Sequence, residues 1–156
     1  MNITQRQSGT TLIEVIVTVL ILATSLLAMA ALQTRSLQYN QGAFMRSQAN
    51  IYAYDIIDRI RINRGAAGSN VTSYNVDYEG SPSGGGLVAS DIKEWRDNIK
   101  LSLPEGKGKI ECQNAAAGAT ARVCKVTIKW SDEQLFGAVA STNPEATSEL
   151  VYSTSI

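Results

Sequence analysis

The chain has 156 residues, with 14 basic and 14 acidic side chains and a formal net charge of zero. That balance argues against a nucleic-acid surface and against a polybasic membrane patch. Histidine is absent, which removes the commonest general base and the commonest transition-metal ligand, and the length suits one compact domain plus a segment outside it.

Residues 1–9 are mostly polar, with Arg6 as the one positive side chain. Thr10-Thr11-Leu12-Ile13-Glu14-Val15 follows, and between Val15 and Leu32 no residue is charged. The stretch 10–32 holds about 23 residues, and a bilayer-spanning helix needs roughly 20. Thr18, Thr24 and Ser25 interrupt it mildly, because their hydroxyls can bond back to their own helix. A secretory signal has a shorter apolar core, about 7–15 residues, closed by a small-residue cleavage site. Here the nearest approach to such a site is Ala28-Met29-Ala30. A plain membrane anchor leaves Glu14 unexplained, since a carboxylate at mid-bilayer costs at least ~2.5 kcal/mol and usually marks function.

Gly9 followed by Thr10-Thr11-Leu12-Ile13-Glu14-Val15 resembles the prepilin motif of type IV pilins and of type II secretion pseudopilins. The resemblance implies a leader over 1–9, cleavage between Gly9 and Thr10 by a prepilin peptidase, N-methylation of Thr10, and an assembly role for Glu14 as the fifth mature residue. The family's first mature residue is usually phenylalanine or methionine, and here it is Thr10. The physical logic agrees. Glycine leaves the backbone open to a protease, and a cut ahead of the apolar run keeps the anchor on the mature chain. Glu14 suits the positive end of a helix. It can also neutralise an N-terminal amine, its own or a neighbour's, and so fix register.

No proline precedes Pro82, and Gly42 is the one glycine between Thr10 and Arg64. A continuous helix over 10–64 is expected, roughly 80 Å long at the usual rise per residue. After Leu32 it turns amphipathic, with Ala49, Ala53, Ile56, Ile57 and Ile60 at three- and four-residue steps. The first half calls for lipid or other helices, the second for one surface supplied by the rest of the chain. The family's major pilins often carry a proline at the twenty-second mature residue; Ala31 stands there, which favours a minor pilin.

Residues 65–89 are rich in Gly, Ser and Asn and read as a flexible connecting loop. Gly84-Gly85-Gly86 lacks the Gly-Lys-Ser/Thr of a phosphate loop. A short helix is expected over 90–103, with Ser90 as its cap and Ile92, Trp95, Ile99 and Leu103 on its apolar face; Pro104 stops it. Glu105-Gly106-Lys107-Gly108 reads as a turn. Residues 109–113 and 122–130 read as two strands of an antiparallel hairpin, the second alternating Cys124, Val126, Ile128 and Trp130 against Lys125, Thr127 and Lys129. The linker 114–121 is small and polar, and Leu150-Val151-Tyr152 adds a late strand. An even cysteine count in an exported chain reads as one disulfide, here Cys112 with Cys124 on facing strands. A redox or metal thiol pair lacks the CxxC spacing and has no histidine beside it. Trp95 and Trp130 read as core.

Asp91-Ile92-Lys93-Glu94-Trp95, then Leu103-Pro104-Glu105-Gly106-Lys107-Gly108, then Val126-Thr127-Ile128-Lys129-Trp130-Ser131-Asp132, resembles the PilV group of minor pilins, the type IV pilus modification proteins. The expectation is therefore an α+β chain of the type IV pilin fold: a long N-terminal helix, half transmembrane and half amphipathic, packed on a small antiparallel sheet head over 65–156. The resemblance implies a minor pilin, single-pass in the bacterial inner membrane with a periplasmic head. It is then incorporated into the pilus to prime or modify assembly, beside other minor pilins and the major pilin. A minor pseudopilin of a type II secretion system is the alternative, since both systems share the leader. Asp91, Glu94, Asp97, Glu111 and Asp132 have the spacing of solvated faces and turns and not of a hydrolytic pair. Lys100, Lys107, Lys109, Arg122, Lys125 and Lys129 are interleaved with acids. No enzymatic activity, cofactor, metal or nucleic-acid partner is expected.

Overall fold

The computed structural model describes residues 11–64, 71–113, 122–132 and 147–156. The architecture is α+β. Helix α1 runs over Leu12–Arg64 and α2 over Leu87–Ser102, with a 3-10 turn at Val71–Tyr74 between them. Strands β1 (Lys107–Gln113), β2 (Val123–Ser131) and β3 (Thr147–Ser155) form one antiparallel sheet with β2 in the centre. The chain divides into two compact units, Met1–Tyr39 and Asn40–Ile156.

In the first unit the described residues are the start of α1. All of them are exposed except Leu37's neighbour Gln38 and no apolar side chain is covered. Gly42, just inside the second unit, leaves the helix unbroken.

The second unit has one core. From α1 it takes Ala49, Ala53, Ile56, Ile57 and Ile60, the five positions expected from the spacing. From α2 it takes Ile92, Trp95 and Ile99, and from the sheet Ile110, Cys112, Cys124, Val126, Ile128 and Trp130. Tertiary bonds at Tyr52 help tie the helices together: Trp95 donates its indole N–H to the Tyr52 carbonyl at 2.9 Å, and the Tyr52 and Ser102 hydroxyls meet at 2.5 Å. The opposite face of the sheet carries Lys125 and Lys129, with Thr127 buried between Lys109 and Val151 on the flanking strands.

Four local expectations are corrected. First, α2 begins at Leu87, so Ser90 is an interior residue whose N–H bonds the Gly86 carbonyl at 3.2 Å. Gly86 takes the cap position with a φ of 60°, a conformation glycine adopts without penalty. Second, the stretch 71–89 is built and not simply a connecting loop. Beyond the 3-10 turn, Val76 bridges to Ile110 in both directions (3.0 and 2.9 Å), and the Asn75 amide pairs with the Cys112 backbone (3.0 and 2.5 Å). Together these close the outer edge of β1, which would otherwise be an open template for pairing. Third, the turn before β1 is Leu103–Gly106, not 105–108. Pro104 forces Leu103 into extended backbone (φ −122°, ψ 130°), ending α2 one residue early. Gly106 N–H then closes on the Leu103 carbonyl at 3.0 Å, with Glu105 at a φ of 51°. Lys107 and Gly108 are thereby free to pair with Lys129 and Ile128. The late strand is also longer than Leu150-Val151-Tyr152, because β2 offers nine residues and β3 pairs along all of them.

Candidate functional site

The N-terminal candidate begins where α1 begins. The Thr11 carbonyl accepts the N–H groups of Glu14 (3.0 Å) and Val15 (3.4 Å), so Glu14 sits in the first turn, where a negative charge complements the exposed backbone donors. Thr11 and Glu14 stand three apart, the spacing of a capping box. Beyond them the helix is apolar all round and uncovered: Leu12, Leu27 and Leu32 are each at least 70% exposed. A window of 18 residues in α1 reaches a mean hydropathy of 2.6 with none of it buried, so the helix is long and apolar enough to cross a membrane. A continuous uncovered apolar surface of this size needs a non-aqueous partner. Its polar interruptions are satisfied internally. Thr18 donates to the Val15 carbonyl (2.9 Å), Thr24 to that of Ile21 (2.9 Å) and Ser25 to that of Ile21 (2.8 Å). Gly9 and Thr10, the expected cleavage and methylation positions, lie outside the described residues, as does the linker 114–121.

Cys112 and Cys124 stand directly opposite each other in the register of β1 and β2, both buried, and are joined as a disulfide. They sit on the core face, so the bridge locks the hairpin from inside the unit.

A polar network that sequence reasoning missed links α1 to α2. Arg59 reaches Asp55 on its own helix (3.2 Å) and Asp91 (3.3 Å) and Glu94 (3.0 Å) on α2. Asp91 also accepts from the Tyr74 hydroxyl (2.8 Å), which in turn accepts from the Asn63 amide (2.9 Å). The hydrogen bond to Glu94 is the largest influence raising Arg59, and Arg59 in turn holds Glu94 below the usual carboxylate range. Burial, and then the bond to Asp91, push Tyr74 up to about 12. The remaining carboxylates weighed from sequence are scattered. Asp97 pairs with Lys93, Glu111 with Lys109 and Lys125, and Asp132 accepts from the Trp130 indole and the Ser148 hydroxyl. Among the described residues no group of three or more Cys, Asp or Glu side chains is placed to hold a metal ion. The basic residues are also dispersed into local pairs, Lys107 with Glu79, Lys109 with Glu111, Lys125 with Glu111 and Lys129 with Glu149.

No family model, curated protein or solved structure matches this chain. The functional reading therefore rests on the residues themselves: Glu14 at the head of an uncovered apolar helix, and a second half of that helix carrying core residues of a small disulfide-locked sheet unit.

Proposed function

We propose that this chain is a minor pilin of a type IV pilus. It is held in the bacterial inner membrane by α1 with its sheet unit in the periplasm, is cleaved between Gly9 and Thr10 by a prepilin peptidase, and is methylated at Thr10. It then joins other minor pilins and the major pilin through α1, priming or modifying pilus assembly. The observation that carries this reading is the construction of α1. One helix starts with Glu14 in its first turn, stays apolar and uncovered through its first half, and then supplies five core residues to the sheet unit. An anchor alone needs no carboxylate at its start and no continuation of its helix into the core of a folded unit. A subunit that leaves the bilayer for a helical assembly uses both: the carboxylate as a polar partner for an amine, and the continuous helix to carry the folded unit with it.

The test is the intact mass of the full-length chain extracted from membranes of cells with and without a prepilin peptidase. Loss of residues 1–9 together with gain of one methyl group, in the peptidase strain alone, is the expected result. A chain that keeps its leader in both strains refutes the reading.

A further inference from the structure

The two edges of the sheet are finished differently. On the β1 side the outward backbone groups of Ile110 meet Val76, and those of Cys112 meet the Asn75 amide. On the β3 side the ladder fixes where each backbone group points. Ile156 and Arg122 exchange both of their backbone bonds, at 2.7 and 3.4 Å. Antiparallel pairs alternate between bonded and unbonded, so Leu150, Tyr152 and Thr154 direct their N–H and C=O groups to β2. Glu149, Val151 and Ser153 direct theirs away from it, and among the described residues no backbone group meets them.

Native edges are normally blunted by short strands, Lys, Pro or bulges. Strand β3 has none of these: it runs for nine residues in unbroken register, and Glu149 is its one charge. On the core side of this edge Leu150 and Tyr152 are only partly covered. Tyr54 of α1, still 48% exposed, stands edge-on to the Tyr152 ring with centroids 4.8 Å apart.

We infer that the β3 edge pairs with the β3 edge of a second copy of this chain, antiparallel, about a two-fold axis at Val151. The strand is its own complement in that register. Val151 meets Val151, and Glu149 meets Ser153 of the other copy, so every outward-facing backbone group finds one facing it. Leu150 falls opposite Tyr152 of the other copy, an aliphatic–aromatic pair that covers the partly exposed margin of both cores. A slip of one residue sets outward groups against inward ones. Longer slips shorten the pairing, and a slip of four residues in one direction places Glu149 against Glu149. Head-to-tail pairing is blocked because the β1 edge is already filled, which leaves the closed two-fold pair. The axis stands perpendicular to the sheet, so the parts of α1 packed on it run in opposite directions in the two copies. The contact therefore joins copies that approach from opposite directions and not neighbours held in one membrane.

The test uses full-length protein in detergent micelles, with hydrogen exchange read at single amides over a range of protein concentrations. The amides of Glu149, Val151 and Ser153 should slow at least about tenfold from dilute to concentrated protein, while those of Leu150 and Tyr152, bonded to β2, stay slow throughout. Val151→Lys, at an exposed position, sets two ammonium groups on the axis. It should abolish the slowing at Glu149 and Ser153 and leave Leu150 and Tyr152 protected. Cross-linking reads the register, since the native cysteines are already joined to each other. In Val151→Cys the two α-carbons stand about 5.5 Å apart, and mild oxidation should give a covalent dimer. In Ser155→Cys they stand roughly 27 Å apart, and it should not. Edge amides that exchange fast at every concentration overturn the inference, as do edge amides that stay slow in Val151→Lys, which would mean that the chain covers its own edge. Equal cross-linking at positions 151 and 155 overturns it too. None of these readouts depends on leader cleavage or pilus assembly.

Discussion

Trp95 fills the space that Gly108 leaves empty: a β-carbon at position 108 would stand 2.6 Å from Cζ3 of the Trp95 ring. Trp95 is fully buried and also bonded to the Tyr52 carbonyl, so its ring cannot retreat without giving up that bond. Glycine in a strand normally weakens it, and its presence here is the cost of seating the largest side chain of the core against the sheet. Gly108→Ala should therefore lower stability by about 1–3 kcal/mol, through overpacking. The double variant with Trp95→Phe should lose less than the sum of the two single variants, since the smaller ring makes room. Urea unfolding of all four proteins checks this; additive losses would show that the two positions do not share a space.

Arg59 faces three carboxylates, Asp55 on its own helix and Asp91 and Glu94 on α2. Replacing it with glutamine leaves Asp91, whose side chain is only 14% exposed, without its cation. The expected loss near neutral pH is about 1–2 kcal/mol, in the range for removing a charge-assisted hydrogen bond.

The pH dependence of that loss has a definite sign. Arg59 depresses Glu94 in the folded state, so the stabilisation is complete above the ordinary carboxylate pKa and fades as pH falls through the lower folded value. In Arg59→Gln that depression is gone. The stability gap between parent and variant should thus be widest near pH 7 and shrink on acidification below about pH 4, the normal carboxylate range. Urea midpoints measured across that range decide it, and a gap that stays constant with pH would remove the electrostatic account.

Much of the fold is legible in residue spacing. Ala49, Ala53, Ile56, Ile57 and Ile60 declare one buried helix face, and Cys124, Val126, Ile128 and Trp130 declare one buried strand face; all nine are buried. Periodicity works there because a single partner surface decides each position. It fails where the partner is remote or a backbone contact decides. Gly108 reads as a turn residue until Trp95 is seen against it, and Asn75 reads as loop until its amide is seen completing the edge of β1. Ser90 looks like a cap because serine favours that position ahead of the apolar spacing that starts at Ile92, yet Gly86 can start the helix one turn earlier. The same limit applies to candidate sites. Glu14 stands out from sequence because a charge beside an apolar run needs no tertiary information. Arg59 does not, since what distinguishes it is partners brought from up to 35 residues away.

The disulfide closes the β1–β2 hairpin across 12 residues of sequence, on the buried side of both strands. Cross-linking a loop of that length restricts the unfolded chain by about 2–3 kcal/mol. The Cys112→Ser, Cys124→Ser double variant should be destabilised by about that amount, also reflecting the exchange of two buried sulfurs for hydroxyls. Adding a reductant should lower the urea midpoint of the parent and leave that of the double variant unchanged. A parent indifferent to strong reductant during unfolding would mean that the bridge contributes nothing to stability.

Glu14 lies in the first turn of an uncovered apolar helix, with its N–H on the Thr11 carbonyl. At a membrane edge such a carboxylate is tolerated with little cost, so neutralising it should not disturb insertion. Inside an assembly of helices it needs a cationic partner, such as an N-terminal amine, and removing one member of a buried pair leaves the other uncompensated. Glu14→Gln keeps the shape and the hydrogen-bonding oxygen while deleting the charge. In a strain carrying a prepilin peptidase and the remaining pilus components, this variant should be inserted and lose its leader like the parent. Its abundance in pili sheared from the cell surface, however, should fall at least about tenfold. Immunodetection in membrane and sheared fractions, with intact mass to confirm processing, separates the outcomes. Normal incorporation of processed Glu14→Gln would reduce Glu14 to a tolerated interfacial charge and place the assembly contacts elsewhere on α1.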